Sequence, residues 1–173
     1  MPRRRARPTG PPLFCIVGYS GSGKTRLAAA LVGEFKARGY RVAAIKHAAH
    51  GHQMDLPGKD SSLIFSAGAD KVVVTSPGRV STTERREGDA SLEELTTPLA
   101  RAFDIIVVEG FKEGDAPKVL VLAKDSALED TIPMTNVLAT VGEPSASSEL
   151  PHFTFDRVKE LADLLIRHLQ RSP

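Results

Sequence analysis

The segment Gly18–Thr25, which reads GYSGSGKT, limits more than any other feature what this chain can fold into. It matches the pattern G-x-x-x-x-G-K-[ST] at every fixed position. The continuous apolar run Leu13–Val17 before it is typical of a strand that is buried on both faces. After it, large apolar residues recur every four positions from Leu27 to Phe35, which predicts a helix over Lys24–Arg38. A strand, a glycine-rich loop and a helix in this order predict a phosphate-binding loop.

The residue types of this segment suit contact with phosphate groups. A loop that wraps around phosphates must bring its backbone N–H groups close to oxygen atoms, and glycine permits the dihedral angles that this needs. The helix N-terminus behind the loop adds a partial positive charge. Lys24 can reach the β- and γ-phosphates, and the Thr25 hydroxyl can bind Mg²⁺. The predicted nucleotide-binding residues of the loop are Gly18, Ser20, Gly21, Ser22, Gly23, Lys24 and Thr25.

An acidic residue ends a second strand that is predicted to be buried. The segment Ile105–Gly110 reads IIVVEG, so four apolar residues precede Glu109. Ligands of open α/β sheets bind outside the carboxyl ends of the strands, so we expect Glu109 and the phosphate loop at one site. A carboxylate there can hold Mg²⁺, directly or through water, or orient a water molecule. We therefore predict Thr25 and Glu109 as metal residues and Lys24 and Glu109 as catalytic residues. Asp104 opens the same strand at its opposite end and is not chosen.

A long segment rich in histidine and charged residues follows the predicted strand Arg41–Ile45. Three interpretations stay open for it. It could be a solvated loop, or a structural metal site built on the histidines of H-x₂-H-x-H, a spacing that is not specific to metal sites. It could also be a switch-like loop that contacts an anionic ligand. In this third interpretation the strand end and the loop add Lys46, His47, Asp55, Lys59 and Asp60 to the nucleotide site.

The remainder of the chain alternates predicted strands and helices. The predicted strands Lys71–Thr75 and Arg79–Thr83 flank Ser-Pro-Gly, which indicates an antiparallel hairpin that could also add antiparallel strands to the sheet. The other predicted elements are a helix over Asp60–Ala67, a helix after a capping box at Ser91 and Glu94, strands at Lys118–Leu122 and Asn136–Thr140, and an amphipathic helix from Val158 to Leu169. This order predicts an α/β fold, a P-loop NTPase-like three-layer sandwich with a mostly parallel sheet. We expect residues 13–173 to form a single nucleotide-binding domain.

The charge of the chain is concentrated at its beginning. Residues 1–12 read MPRRRARPTGPP, and we expect them to form a basic, disordered arm. The chain has 23 basic and 21 acidic residues, and removal of the four arginines of the arm leaves 19 against 21. The mildly acidic remainder gives no support for nucleic-acid binding. No apolar run reaches the length of a membrane span, and a single cysteine indicates the reducing cytoplasm rather than a disulfide-bonded protein.

In chain order, these motifs resemble those of the MobB family, the molybdopterin-guanine dinucleotide biosynthesis protein B family. The motifs that carry the resemblance are GYSGSGKT at 18–25, IKH at 45–47, DLPGKDS at 55–61, SAGAD at 66–70 and VVEGFK at 107–112. The resemblance implies a cytoplasmic homodimer that binds GTP with Mg²⁺ and has at most weak GTPase activity. It implies that Lys112 faces the site beside Glu109. It also implies an accessory role beside a MobA-type molybdopterin guanylyltransferase, which joins GMP to molybdopterin, and makes molybdopterin a further candidate ligand.

Two other functions remain open on the residues alone. A small-molecule kinase would use a similar phosphate loop together with lid arginines, for which Arg79, Arg85 and Arg86 are the clustered candidates. A GTPase metallochaperone would use the cluster of His47, His50 and His52. The usual guanine-recognition motif N/T-K-x-D is absent, and Asp125 is a possible acceptor for a guanine edge, although its spacing differs from that motif. The residues alone do not decide between GTP and ATP.

Overall fold

The computed structural model of the protein describes residues 12–48, 51, 60–123, 135–143 and 149–171. The chain divides into two compact units. The first unit contains the chain up to His47 and from Leu92 onward, and the second contains Ala48–Ser91. The arm predicted at residues 1–12 lies, apart from Pro12, outside the described residues, so it stays a prediction.

The first unit is built on a parallel sheet of six strands. The strands are β1 (Leu13–Gly18), β2 (Val42–Lys46), β5 (Ile105–Glu109), β6 (Lys118–Leu122), β7 (Val137–Gly142) and β8 (His152–Phe153). Their spatial order is β2-β5-β1-β6-β7-β8, and every neighbouring pair is parallel. The carboxyl ends of all six strands therefore lie at one edge of the sheet, with the phosphate loop after β1 near its centre.

Helices cover both faces of this sheet, which confirms the predicted three-layer α/β fold. The helices of the first unit are α1 (Lys24–Ala37), α3 (Leu92–Ala100) and α4 (Val158–Arg171). Side chains alternate along β1, so Phe14 and Ile16 pack against α1 and α4 on one face. Cys15 and its neighbours of the same face pack in a second cluster with residues of α3. The two apolar faces explain why β1 and β5 read as continuous apolar runs.

Helix α1 ends as its sequence predicts. The Gly39 N–H donates to the Lys36 carbonyl oxygen at 3.0 Å, and the Tyr40 N–H donates to the Phe35 carbonyl oxygen at 3.1 Å. Gly39 has a φ of +84°, which an L side chain rarely adopts. The rings of Phe35 and Tyr40 pack edge to face with centroids 6.3 Å apart. This Schellman ending fixes the turn from α1 into β2.

The second unit holds the predicted hairpin and a short helix. Strands β3 (Lys71–Ser76) and β4 (Arg79–Glu84) pair antiparallel, and α2 (Asp60–Ser66) precedes them. Ser76 pairs with Arg79, so a two-residue turn of Pro77 and Gly78 joins the strands, and Gly78 has a φ of +75°. The two strands form a sheet of their own rather than extending the six-stranded sheet, which corrects the expectation that they could add to it.

Among the described residues of the protein, no helix is long and apolar enough to cross a lipid bilayer.

Candidate functional site

The phosphate loop has the backbone geometry that its glycines predict. Gly18, Gly21 and Gly23 all have positive φ angles, of +151°, +76° and +98°. A Cβ atom added to Gly18 would lie 2.5 Å from the Val121 carbonyl oxygen, so the loop passes too close to β6 for any side chain at that position. Gly18 is therefore required by both conformation and space, whereas at Gly21 only the backbone conformation favours glycine.

Helix α1 begins directly behind this loop with unsatisfied donors. Its N-cap residue is Gly23, which has no side chain to accept a hydrogen bond from the first turn. No acidic side chain lies in that turn. The first backbone N–H groups of a helix have no partner within the helix and attract anions. The start of α1 is consequently suited to a phosphate group.

Ser22 adds a buried polar atom to the loop. The residue is 8% exposed, and its hydroxyl oxygen Oγ has no hydrogen-bond partner among the described residues. A buried hydroxyl without a partner costs free energy, and such atoms in native proteins point to a ligand, an ion or water. This orphaned donor fits a phosphate oxygen, as do the backbone N–H groups around it.

Lys24 folds back over the loop that precedes it. Its Nζ donates a hydrogen bond to the Tyr19 carbonyl oxygen at 2.5 Å. Partial burial lowers the pKa of Lys24 below its ordinary value, the charge of Glu109 raises it, and the charge of Lys46 lowers it further. Loss of water around the ammonium group is the largest of these causes, and an anion beside it would oppose that cost.

Thr25, Lys46 and Glu109 form one polar cluster at the carboxyl ends of β1, β5 and β2. The Thr25 hydroxyl donates to the Glu109 carboxylate, with both oxygens at 2.9 Å. The Lys46 Nζ lies 3.2 Å from Glu109 Oε1 and 3.2 Å from Thr25 Oγ1. Lys46 and Glu109 are direct partners in the β2–β5 register. The structure thus brings together both predicted metal residues, whose oxygen donors are the kind that Mg²⁺ prefers.

The chain leaves β5 through a strained turn that contacts His47. Gly110 has a φ of +102°, and an added Cβ would lie 2.8 Å from the His47 Cβ. Phe111 has a φ of +53°, an uncommon value for a residue with a side chain. Its ring packs on the His47 ring, with centroids 4.6 Å apart. The His47 N–H also donates to the Glu109 carbonyl oxygen at 2.8 Å, so His47 fixes the segment that follows Glu109.

The remaining predicted site residues belong to other segments of the chain, and several lie outside the described residues. Lys112 is exposed and follows the strained turn, three residues after Glu109. Asp60 begins α2 in the second unit. Asp104 sits at the opposite end of β5, as predicted, and pairs with Arg41 at 2.8 Å. The predicted residues that lie outside the described ranges are His50, His52, Asp55, Lys59 and Asp125.

The arginines considered for a kinase lid include one with a local structural role. The Arg85 guanidinium lies 4.3 Å from the centroid of the Phe65 ring, and its Nε donates to the Ala69 carbonyl oxygen at 3.1 Å. Arg85 also donates to the Phe65 carbonyl oxygen at the end of α2. These contacts hold Arg85 within the second unit.

Among the described residues, no group of three or more histidine, cysteine or acidic side chains could hold a metal ion.

Sequence reasoning missed two residues beside the phosphate loop. The Arg26 guanidinium carbon lies 4.7 Å from the centroid of the Phe155 ring. An added Cβ at Gly23 would lie 2.8 Å from Phe155 Cζ, so the ring edge packs directly on this glycine. Phe155 follows β8, in a part of the chain without a motif, and only the path of the backbone brings it to the loop.

Known proteins with similar sequences share one description. The family model named "MobB: Molybdopterin guanine dinucleotide synthesis protein B" matches residues 13–143. A molybdopterin-guanine dinucleotide biosynthesis adapter protein of Escherichia coli strain K12 is 32% identical, over 93% of this chain and 95% of that protein. The adapter protein of the same description from Haemophilus influenzae is 41% identical over 63% of this chain, and the match spans only 62% of that protein.

Solved structures agree with these sequence matches. The crystal structure of Bacillus subtilis MobB is 28% identical and has a TM-score of 0.75, covering 90% of this chain and 96% of that chain. A MobB protein homologue from Bacillus stearothermophilus has a TM-score of 0.69 over 92% of this chain and 98% of that chain. Its identity is 24%, so it supports the fold alone. The fold class predicted from the sequence is confirmed.

Proposed function

Because this chain belongs to the MobB family, we propose that it binds GTP together with Mg²⁺ and serves as an accessory protein in molybdenum-cofactor biosynthesis. In this role it assists the attachment of GMP to molybdopterin by a guanylyltransferase of the MobA type, in the cytoplasm. The description of the Escherichia coli relative as a biosynthesis adapter protein supports an accessory role.

One observation carries the nucleotide-binding part of this proposal. The Thr25 hydroxyl and the Glu109 carboxylate meet at 2.9 Å directly beside a phosphate loop that contains an orphaned Ser22 hydroxyl. In proteins that bind nucleoside triphosphates through such a loop, the threonine of the motif and a strand-end acid hold the metal ion that bridges the β- and γ-phosphates. The residues here fit that pair of ligands.

The proposal gives each side chain of the cluster a separate task. Lys24 supplies a positive charge to the terminal phosphates, and Thr25 and Glu109 hold the metal ion, which when bound neutralises the phosphate charge. Lys46 balances the charge of Glu109 at 3.2 Å in this structure. Glu109 accepts hydrogen bonds from Thr25 and lies 3.2 Å from Lys46, so its carboxylate oxygens already have partners and are not free to take a proton from a water molecule. This arrangement supports at most a weak GTPase activity.

We also propose that the protein forms a homodimer, and the surface of the second unit supports this. Five large apolar side chains are exposed on it, namely Leu63, Ile64, Val73, Val74 and Val80. Their exposed fractions lie between 43% and 68%. Apolar groups gathered on one small unit favour association with another protein surface, here a second copy of the chain.

Calorimetric titration of one preparation with Mg²⁺·GTP and Mg²⁺·ATP tests this proposal. We expect a clear preference for GTP, and we expect Lys24→Ala to weaken triphosphate binding by about 2–3 kcal/mol because a charge-assisted contact is lost. A matched control is Lys36→Ala, which removes the same charge from the far end of α1. Equal binding of ATP, or unchanged binding by the Lys24→Ala variant, would contradict the proposal. With GTP preference established, retention of the guanylyltransferase by the immobilised protein tests the accessory role.

A further inference from the structure

The polar cluster defines the direction in which a nucleotide must lie across the sheet. Glu109 and Lys46 belong to β5 and β2, which lie on one side of β1. Thr25 and Glu109 would hold the metal ion, and the positive charge that it supplies would favour a position of the terminal phosphates toward β5. The α-phosphate and the nucleoside would then extend along the carboxyl edge in the other direction, toward β6, β7 and β8.

At the carboxyl edge on that other side, the backbones of neighbouring strands lie very close together. Gly18 ends β1 and Gly142 ends β7, and both have positive φ angles. A Cβ at Gly142 would lie 2.3 Å from the Leu122 carbonyl oxygen, and one at Gly18 would lie 2.5 Å from the Val121 carbonyl oxygen. The ends of β1, β6 and β7 therefore pack backbone against backbone at these glycines.

Arg26 and Phe155 lie beside the phosphate loop, where an added Cβ at Gly23 would be 2.8 Å from the Phe155 ring. Phe155 follows β8, is partly buried and packs against the core, so its ring is fixed in position. Arg26 is exposed and comes one residue after the predicted metal residue Thr25. Its guanidinium carbon lies 4.7 Å from the ring centroid, so the phenyl ring supports the guanidinium group from one side. Guanidinium groups stack on aromatic rings, and nucleobases stack on guanidinium planes.

We propose that Arg26, held in place by Phe155, is a base-stacking residue of the nucleotide site, against which the purine of the bound nucleotide packs. The inference rests on the proposed function, because it needs a nucleotide whose terminal phosphates lie at Thr25 and Glu109. It adds a contact for the nucleoside, for which the sequence offers no recognition motif at the usual spacing. In this contact the planar face of the Arg26 guanidinium group packs against the purine, so the shape of the group matters as well as its charge.

Two ligands separate a base contact from a phosphate contact. The full chain is titrated by calorimetry with Mg²⁺·GTP and with Mg²⁺·tripolyphosphate, which carries the phosphates without the nucleoside. We expect Arg26→Ala to weaken GTP binding about tenfold, because stacking on one base is lost. Its affinity for tripolyphosphate should stay that of the wild type. Arg26→Lys keeps the charge but lacks the plane, so it should weaken GTP binding as Arg26→Ala does.

Arg157→Ala is the matched control. Arg157 also lies over a phenyl ring, that of Phe153 at 5.4 Å, but it is at the start of α4 and pairs with Glu160. We expect this variant to bind both ligands like the wild type. The inference is overturned if Arg26→Ala weakens both ligands equally, if it weakens neither, or if Arg26→Lys retains wild-type GTP affinity.

The failure of this inference can be told apart from the failure of the proposed function. If the wild-type protein does not bind Mg²⁺·GTP, the proposed function fails and this inference fails with it. If the wild type binds GTP and Lys24→Ala weakens that binding while Arg26→Ala does not change it, only the base-stacking role is wrong.

Discussion

At Glu109 the sheet places a carboxylate against a hydroxyl and an ammonium group. The carboxylate side chain is only 12% exposed, and it accepts the Thr25 hydroxyl at 2.9 Å. Lys46, its register partner on β2, lies 3.2 Å away. A carboxylate with so little contact with water needs such partners, and a bound magnesium ion would add another. The negative charge of Glu109, more than its shape, should therefore decide how nucleotide binding depends on the metal.

The substitution Glu109→Gln separates charge from shape. The amide keeps an oxygen that can accept the Thr25 hydroxyl, but it cannot balance a divalent cation. We expect GTP affinity of this variant to become nearly independent of Mg²⁺, whereas wild-type affinity should fall at least about tenfold when the metal is removed with EDTA, which corresponds to about 1.4 kcal/mol. Calorimetric titration with and without Mg²⁺ measures both values.

Asp104→Asn provides the control on the same strand. Asp104 lies at the amino end of β5, where it pairs with Arg41 on the surface. Its variant should keep the wild-type response to Mg²⁺. A Glu109→Gln variant that also keeps that response would show that the carboxylate does not hold the metal.

The site residues that the sequence predicts depend on nearby positions in the chain, whereas the two that it does not predict depend on distant ones. Lys24 and Thr25 were predicted because the chemistry of the loop depends on residues adjacent in sequence. Glu109 was predicted because a buried run leads to a strand end. Arg26 and Phe155 are separated by most of the chain, and their contact depends on where β8 ends. No local pattern carries that information.

Helix α1 has two glycines with opposite roles. Gly23 is its N-cap, has a φ of +98° and lies against the Phe155 ring. Gly33 lies in the exposed interior of the helix without a positive φ, and no atom lies within 4 Å of an added Cβ. Glycine in a helix interior costs stability relative to alanine because more backbone freedom is lost on folding. The same substitution should therefore have opposite effects at the two positions.

We expect Gly33→Ala to raise the free energy of unfolding by about 0.5–1 kcal/mol and to leave GTP binding unchanged. Gly23→Ala should lower the free energy of unfolding by about 1–3 kcal/mol, because the new methyl group meets both an unfavourable φ and the phenyl ring. Urea denaturation of the two variants measures both changes. A Gly23→Ala protein as stable as the wild type would show that the contact with Phe155 yields easily.

Elements were predictable where local sequence determines them. Strands β1, β5 and β6 and helices α1 and α4 follow from apolar runs and helical periodicity, with ends shifted by a residue or two. The hairpin follows from Pro77 and Gly78, which suit a turn whose third residue has positive φ. The strand β8 has only two residues and was not predicted. The predicted strand Asn136–Thr140 continues to Gly142 because pairing with β6 and β8 supports it.

Lys118 shows that tertiary hydrogen bonds can allow a lysine side chain to be buried. It begins β6 and is fully buried, although lysine almost never is. Its Nζ donates to the Gly114 carbonyl oxygen at 2.6 Å and to the Thr135 carbonyl oxygen at 3.1 Å. The sequence indicates a strand at this position, but it does not reveal that two loops supply acceptors for a buried ammonium group.

At the scale of the molecule, the order of strands could not be read from the chain. Crossover rules favour parallel neighbours and a right-handed connection, but they do not say that β5 inserts between β1 and β2. That insertion is what brings Glu109 within reach of both Thr25 and Lys46. The separate sheet of the second unit was equally hidden, because hairpin signals describe a turn and not the sheet to which it belongs. Local signals thus give the parts of the site, and the topology gives their assembly.

Cys15 lies in β1, between β5 and β6 in the six-stranded sheet, and its titration can be used to follow the unfolding of that sheet. It is fully buried in β1, and burial raises the pKa of its thiol to about 11, although Lys118 lowers it in part. In the unfolded chain the thiol titrates near its ordinary pKa of 9.0. The native state therefore holds the proton more tightly than the unfolded state between these values. The stabilisation is fully present below pH 9 and is lost as the pH rises through about 11.

We expect this single thiol to give unfolding a measurable dependence on pH. Urea denaturation of the wild type and of Cys15→Ala at pH 8, 9, 10 and 11 measures it, because the comparison removes the effects of pH that the two proteins share. The free energy of unfolding of the wild type should fall relative to that of the variant by about 2 kcal/mol between pH 8 and pH 11, which follows from a shift of roughly two pH units that is not yet complete at pH 11. The cavity left by the variant lowers its stability by an amount that does not change with pH. A difference between the two proteins that stays constant from pH 8 to 11 would show that the thiol titrates normally in the folded protein, and that the sheet around Cys15 opens far more readily than its burial implies.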